Sequence, residues 1–198
     1  MLQRMKLKFT YAILIFISSI NFVISQNEDK IDGIIIPKTV VFSEKTLTLN
    51  GVGIRNKFWS DVYTQGLYLS FASKDPKEII NSDTKMAMIF HITSPLVTSK
   101  KFSKNLNNSI KKTLGEKKWL SFKPQLDLLD ATINADQIVE NDVFNLVYND
   151  TDASIWIIKN GIVRGKIPGF DFKKAFFGIW LSDKPVNDHL KNNLLGLK

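Results

Sequence analysis

One stretch, residues 50–69, constrains the fold more than any other part of the sequence. It begins with the pair Asn50-Gly51, which favours a tight hairpin turn because both residues tolerate positive φ, and it continues with β-branched and aromatic residues around Gly66. We therefore predict that residues 46–49 pair across this turn with the strand that follows. If that strand is unbroken, side-chain alternation puts one mixed set of aromatic and polar residues on a single face: Arg55, Lys57, Trp59, Asp61 and Tyr63. So many polar ends indicate a binding surface rather than a face that only fills the core.

Arginine is scarce in this chain, and its scarcity makes Arg55 informative. The 27 Lys and Arg residues include only three arginines, Arg4, Arg55 and Arg164. A guanidinium is a flat, permanently charged fork that can hold a carboxylate or an enolate-like oxygen through two parallel hydrogen bonds, which lysine cannot do. We therefore select Arg55 as a candidate anion-binding residue, with a surface salt bridge or stacking on Trp59 as alternatives. For Arg164, just past the Asn160-Gly161 turn, we expect an ordinary cross-strand or solvent role.

The N-terminus has the pattern of a signal peptide. Basic residues at 4, 6 and 8 precede an apolar run over 9–23, and Val23-Ile24-Ser25 places short side chains where a signal peptidase would cleave. The run is short for a membrane-spanning helix and a polar segment follows it, so we predict a signal peptide over 1–25 and one domain over 26–198. A retained N-terminal anchor is the alternative. We expect a periplasmic or secreted protein with no membrane span in its mature form.

Composition excludes several kinds of site. The chain has no cysteine, which excludes a lipoprotein anchor, disulfides and a thiol nucleophile. Two histidines, His91 and His189, are too few for a metal cluster, and no phosphate-binding glycine loop or nucleophile elbow is present, so we expect neither metal nor cofactor. Lysine pairs on the predicted helices are typical of solvated helix faces rather than of nucleic-acid binding. Any chemistry would therefore be electrostatic stabilisation of an anion.

Hydrophobic periodicity predicts an α+β fold. Strands are expected over 34–42, 46–49, 52–69, 85–93, 142–149, 153–159 and 162–167, with helices ending at 81 and over 97–114, 116–133, 170–181 and 188–195. Pro124 must kink or divide the helix over 116–133. The turn at Asn160-Gly161 gives the clearest hairpin, and a two-residue loop would put Ile158 opposite Val163 and Ile157 opposite Arg164. This order of elements predicts helices packed on one face of an antiparallel sheet.

Two blocks of the sequence resemble motifs of the bacterial chalcone isomerase-like proteins. The first block is Asn50-Gly51-Val52-Gly53-Ile54-Arg55, then Lys57-Phe58, Val62-Tyr63 and Gly66-Leu67-Tyr68-Leu69; the second is Phe172, Ala175 and Ile179-Trp180-Leu181-Ser182-Asp183-Lys184-Pro185. The blocks occur in the family's order, and the resemblance extends over about residues 34–196.

The resemblance implies an open-faced β-sandwich, in which helices on one face of a large antiparallel sheet form a cleft. In plant chalcone isomerases, an arginine in the equivalent glycine-rich turn stabilises the phenolate and enolate oxygens during ring closure of a chalcone to a flavanone. Arg55 matches that arginine. Non-catalytic members of the superfamily bind fatty acids with the equivalent arginine on the carboxylate, which implies a second possible role for the same residue.

Other positions depart from the pattern of the enzymes. Those enzymes have a threonine three residues before the glycine of the Gly-Xaa-Tyr-Leu motif, where this chain has Tyr63. The tyrosine and asparagine that lie seven residues apart on their cleft helix align with Phe102 and Ser109. These departures weaken the case for the same reaction.

Three functions are therefore open. The first is an exported binding protein for a small amphipathic anion such as a fatty acid, in which Arg55 holds the carboxylate and Tyr63 donates to it. The other ligand-binding candidates lie around these two: Trp59, Phe102, Leu106, Ser109 and Phe176. The second is an isomerase or intramolecular lyase of a chalcone-like aromatic anion, with Arg55 and Tyr63 as catalytic residues. The third is a non-catalytic envelope scaffold with a closed cleft and Arg55 in a buried ion pair, for instance with Asp61.

Overall fold

The main sheet is a meander of seven antiparallel strands in which every strand pairs with its sequence neighbours. The computed structural model describes residues 28–31, 33–57 and 60–197, with all side chains in these ranges except those at 28, 29, 57, 60 and 61. The strands of the sheet, in spatial order, are β3 (Thr39–Phe42), β4 (Lys45–Lys57), β5 (Ser60–Leu69), β6 (Met86–Ile92), β7 (Val143–Asn149), β8 (Ser154–Lys159) and β9 (Ile162–Pro168). A separate two-stranded hairpin precedes it, formed by β1 (Glu28–Ile31) and β2 (Ile34–Pro37). The predicted signal peptide and Trp59 lie outside the described residues.

Helices are inserted between the strands and follow the last one. Their bounds are α1 (Pro76–Asn81), α2 (Ser99–Leu114), α3 (Glu116–Leu120), α4 (Lys123–Asn134), α5 (Phe170–Leu181) and α6 (Asp188–Leu194). The bounds of α5 are those predicted. The division between α3 and α4 follows the expectation for Pro124, which occupies the first turn of α4, where its missing N–H is not needed. The C-cap Gly115 ends α2 with a positive φ of 78°.

The predicted turn at Asn50-Gly51 is wrong. β4 runs through this pair without turning back, and only a register shift between Leu49 and Gly51 interrupts its pairing with β5. The reason for the glycine is a close approach of backbones, because a Cβ on Gly51 would overlap the backbone carbonyl oxygens of Asn193 and Leu194 at the end of α6. The side chain of Asn50 also donates to the Leu194 carbonyl, at 3.0 Å. The Asn-Gly pair therefore marks a helix contact rather than a hairpin.

The predicted hairpin at Asn160-Gly161 is confirmed, although its register is only partly as expected. Ile158 pairs with Val163, as predicted, but Ile157 pairs with Gly165 instead of Arg164, because a bulge lies between residues 157 and 158. Gly165 also lies directly under Thr132 of α4, where a Cβ would clash with its side chain. The bulge thus brings a glycine to the point at which a helix crosses the strand.

The helices cover one face of the sheet, and the main core lies between them. Its largest fully buried side chains include Trp180, Tyr148, Phe90, Phe172 and Phe176. The opposite face has a smaller apolar cluster, which includes Ile36 from the β1–β2 hairpin. The expected architecture, an α+β fold with helices packed on one face of an antiparallel sheet, is confirmed.

Candidate functional site

A cavity of about 480 Å³ opens between one end of the sheet and the helices. Its walls come from the end of β4, the start of β5, the loop after β6, one side of α2 and the end of α5. The apolar wall residues are Val62, Leu96, Val97, Phe102, Leu106, Ile179, Trp180 and Val186. The cations on the wall are Arg55, Lys101 and Lys112, and no described acidic residue lines the cavity. It therefore combines an apolar interior with positive charge.

Arg55 and Tyr63 lie side by side on this wall. They are register partners across the β4–β5 pair, and such partners have Cβ atoms about 5 Å apart. Arg55 is half-buried and its Nη1 donates to the backbone carbonyl of Asn56. Tyr63 is only 7% exposed. The sequence predicts the two residues on one face of a single unbroken strand, whereas the antiparallel pairing of β4 with β5 brings them together from neighbouring strands.

A β-bulge beside Arg55 turns two consecutive residues of β5 towards the cavity. Arg55 pairs with Tyr63 but the next residue, Asn56, pairs with Asp61, so Val62 is an extra residue without a partner of its own. Val62 and Tyr63 both line the cavity, although consecutive residues of a regular strand point to opposite faces. The bulge therefore adds an apolar side chain to the wall without removing the tyrosine.

The Tyr63 hydroxyl is held by a residue that was not among the predicted site residues. Trp180, on α5, donates its indole Nε1–H to Tyr63 Oη at 3.2 Å. Burial raises the pKa of Tyr63 above its usual value, and the Trp180 hydrogen bond and the nearby Arg55 charge oppose that rise only in part. The phenol is therefore neutral at physiological pH. Since its oxygen already accepts a hydrogen bond, its own hydrogen is available to another acceptor.

An aromatic cluster forms the base beneath these groups. The Phe90 ring lies 5.0 Å from that of Tyr63, 5.3 Å from that of Trp180 and 6.2 Å from that of Phe102, measured between centroids. Phe90 itself is fully buried. These contacts fix the orientation of Tyr63 and Trp180, because a tightly packed ring has few alternative rotamers.

Most of the predicted ligand-binding residues are brought together at this cavity. Arg55, Tyr63, Phe102, Leu106 and Ser109 all line it. Phe176 does not. It is fully buried in the core and packs on Trp180 with 5.7 Å between ring centroids. The reason is that α5 is enclosed on nearly all sides, so that only the turn after Phe176 reaches the cavity.

Three residues at the cavity were not predicted from the sequence: Trp180, Lys101 and Lys112. Trp180 is four residues after Phe176 on the same side of α5, and this helical spacing was the signal that could have identified it. Lysine pairs on helices are typical of solvated faces, so the pattern gives no sign that these two lysines lie at a site. They are exposed, but they also lie at the cavity.

The other candidate residues lie elsewhere. His91 is on the opposite face of the sheet, where burial lowers its pKa, and His189 is on α6; neither lines this cavity. Arg164 forms an ion pair with Asp136, at 3.1 Å, as expected of an ordinary structural role.

Among the described residues, no group of three or more His, Asp or Glu side chains is arranged to hold a metal ion. The side chain of Asp61 is not described, so its proposed ion pair with Arg55 stays a prediction.

Within residues 28–197, as far as they are described, no helix has the length and apolar character needed to cross a membrane.

Comparison with known proteins identifies the fold and then the family. No curated protein matches the chain in sequence. Among solved structures, a fatty-acid binding protein of Arabidopsis thaliana is similar, with a TM-score of 0.65 and 16% identity over 85% of this chain and 95% of that chain. At this identity the similarity shows a common fold. A family model described as chalcone isomerase-like matches residues 28–196, and by this match the chain belongs to the chalcone isomerase-like family.

Proposed function

We propose that this protein is an exported carrier that binds a small amphipathic anion of the fatty-acid type in the cavity. The observation that carries the proposal is the position of Arg55 and Tyr63 together on the wall of a largely apolar cavity. Its volume of about 480 Å³ is in the usual range of small-molecule sites. The scaffold alternative expects a closed cleft, so the open cavity supports the carrier.

The head group of the ligand would lie between the guanidinium and the phenol. Arg55 supplies a planar fork that matches a carboxylate, and Tyr63 supplies the hydroxyl hydrogen that Trp180 leaves unused. The raised pKa of Tyr63 preserves that hydrogen at neutral pH. Two different donors would thus converge on one carboxylate.

The acyl chain would lie along the apolar wall of α2 and α5, which includes Phe102, Leu106 and Ile179. Each buried methylene contributes about 0.8 kcal/mol, or about four-fold in affinity. A series of saturated fatty acids should therefore bind more tightly with each added carbon until the cavity is full. The fatty-acid binding of the Arabidopsis thaliana protein, which has the same fold, supports this class of ligand.

The test is isothermal titration of the purified protein with dodecanoate and with dodecanol, for the parent chain and two variants. Arg55→Met should weaken dodecanoate binding by roughly ten-fold or more, because a hydrogen bond to a charged group contributes about 1.5–3 kcal/mol. Arg164→Met is the matched control, since it removes an arginine that is paired with Asp136 away from the cavity. Equal affinity for dodecanol and dodecanoate, or equal losses in the two variants, would contradict the proposal.

A second candidate function is isomerisation of a chalcone-like substrate. The observation that favours it is the neutral phenol of Tyr63, which is hydrogen-bonded to Trp180 and lies beside Arg55. Arg55 would stabilise an oxyanion and Tyr63 would donate a proton or orient the substrate. Loss of chalcone absorbance in the presence of the protein, abolished by Arg55→Met and reduced by Tyr63→Phe, would establish this activity. Dodecanoate binding without chalcone turnover would exclude the isomerase and support only the carrier.

Export is the part of the proposal that depends on the N-terminal sequence. It is supported by the basic residues at 4, 6 and 8 and the apolar run over 9–23. N-terminal sequencing of the protein from its own host should begin at Gln26. A mature chain that begins at residue 1 and stays in the cytoplasm would overturn this part and would not affect the binding site.

A further inference from the structure

Helix α2 has a face rich in positive charge, on which four lysines are exposed and Lys111 is half-buried in an ion pair with Glu116, at 2.8 Å. Its 16 residues include five lysines and no acidic residue. At 100° per residue, Lys100, Lys101, Lys104, Lys111 and Lys112 fall within an arc of about 120° around the helix axis. The buried residues of the helix, such as Phe102 and Ile110, lie on the opposite side. The lysines therefore form one continuous surface.

This surface adjoins the cavity. Lys101 and Lys112 belong both to the lysine arc and to the cavity wall. Leu96, in the preceding loop, also lines the cavity, although it is 66% exposed. The ammonium group of Lys101 donates to the Leu96 carbonyl, at 3.3 Å, which joins the loop to the helix. We name the five lysines together with Leu96 the α2 surface.

We propose that the α2 surface docks on a lipid bilayer that contains anionic phospholipids, so that the cavity opens towards the membrane. The lysines match the negative headgroups, and Leu96 supplies an apolar side chain that can enter the interface between headgroups and acyl chains. This inference rests on the proposed function in one respect, since it explains how an amphipathic ligand would pass between bilayer and cavity. Docking itself does not require a bound ligand.

The composition of the α2 surface favours a membrane over a nucleic acid. All its cations are lysines, which act as point charges, whereas recognition of nucleic acids commonly uses arginine forks and exposed aromatic rings on which bases stack. The α2 surface has neither. An exposed leucine beside an apolar cavity has no role in binding phosphates, but it has a direct role at a bilayer.

The experiment is sedimentation of the full chain with vesicles of phosphatidylcholine alone and of phosphatidylcholine with one third phosphatidylglycerol. The variant Lys100→Gln/Lys104→Gln removes two exposed lysines of the α2 surface that do not line the cavity. Its matched control, Lys74→Gln/Lys77→Gln, removes two exposed lysines near α1 and has the same net charge. All chains share the same N-terminal segment, so any binding by the apolar residues 9–23 is common to them.

We expect binding to the mixed vesicles that weakens in 0.5 M salt. The α2 variant should bind them roughly twenty-five-fold more weakly, because each lysine near an anionic surface contributes about five-fold, while the control should bind as the parent does. Leu96→Gln should also weaken vesicle binding. Equal binding to both kinds of vesicle, equal losses in the α2 variant and its control, or no effect of Leu96→Gln would overturn the proposal.

Two further measurements separate this proposal from its rivals. Duplex DNA should not compete with the vesicles; competition that is lost in the α2 variant would identify a general polyanion site and overturn membrane docking. Dodecanoate titration in the absence of vesicles tests only the proposed carrier function. Vesicle binding without dodecanoate binding would support docking and contradict the proposed function, and the reverse result would contradict docking only.

Discussion

Two cations, Lys173 and Arg55, occupy opposite kinds of surroundings in this molecule. Lys173, on α5, is fully buried, and its ammonium group donates to the carbonyl oxygens of Ile79, Ile80 and Ser82 at 3.1, 2.9 and 2.8 Å. These carbonyls lie at the end of α1, where the helix itself provides no donors. Arg55 is half-buried on the wall of a cavity.

The difference shows how a structural cation is distinguished from a candidate ligand-binding cation. An ammonium group has three hydrogens, and Lys173 uses all three on the backbone, so it joins α1 to α5 and has no donor left for a ligand. A guanidinium has five N–H donors, and the position of Arg55 on the cavity wall gives a ligand access to them. Burial alone would have selected the wrong residue as the functional one.

The largest effect on stability is expected for Lys173→Met. The variant leaves three carbonyls at the end of α1, one buried and two half-buried, without their donor, and we expect the free energy of unfolding to fall by about 3 kcal/mol. Lys174→Met is the control, because the neighbouring lysine forms an exposed ion pair with Asp171 that contributes about 0.5 kcal/mol or less. Urea denaturation followed by tryptophan fluorescence measures both. Equal losses would mean that Lys173 does not anchor α1.

The pH dependence of stability gives a second, smaller effect at the same residue. Burial lowers the pKa of Lys173 from its usual 10.5 to about 8. Between these values the unfolded chain binds more protons than the native one, so the contribution of Lys173 to stability rises as pH increases from 8 to 10.5 and is lost below 8. The loss caused by Lys173→Met should therefore be greater at pH 9.5 than at pH 7.5. A loss that is independent of pH would contradict the lowered pKa.

Tyr63→Phe should affect both binding and stability moderately. Removal of the hydroxyl leaves the buried indole N–H of Trp180 without an acceptor, which should cost about 1–2 kcal/mol of unfolding free energy. Dodecanoate affinity should fall by roughly ten-fold, because the lost hydrogen bond is made to a charged carboxylate and contributes about 1.5 kcal/mol or more. Tyr148→Phe is a control for stability, because that hydroxyl donates to Asp83 away from the cavity. Unchanged dodecanoate affinity in Tyr63→Phe would remove Tyr63 from the binding site.

The smallest effect on stability is expected for Arg55→Met, in contrast to its large effect on dodecanoate binding. Arg55 is only half-buried, so its replacement should change the free energy of unfolding by less than about 1 kcal/mol. Urea denaturation again provides the measurement. A loss as large as that of Lys173→Met would show that Arg55 is a structural cation, as the scaffold alternative expects.

The two Asn-Gly pairs show which parts of the fold could be predicted from sequence. Both have the local signal of a hairpin, but only Asn160-Gly161 forms one. At Asn50-Gly51 the glycine is needed because α6, more than a hundred residues later in the chain, lies against the strand. Local patterns predicted α5 to the residue, since its apolar residues lie within it and the polar residues and proline that end it, at 182–185, follow directly. Contacts between distant segments have no such local signal.

The candidate site shows the same limit. Composition and resemblance selected Arg55 and Tyr63, and both lie at the cavity, although for a different geometric reason than alternation along one strand. Phe176 was expected on the wall, where Trp180 lies instead, because the depth of α5 in the core depends on everything packed around it. The register shift beside Arg55 likewise has no signal in the residues around it.

The packing of α6 on β4 also limits how early in synthesis this part of the fold can form. Leu190 and Leu194, on α6, are fully buried, and the backbone of this helix touches Gly51 in the strand that carries Arg55. That strand is synthesised more than a hundred residues before the helix that packs on it. The contact between β4 and α6 therefore cannot form until residues 188–194 have left the ribosome, and until then Gly51 lacks the backbone that covers it.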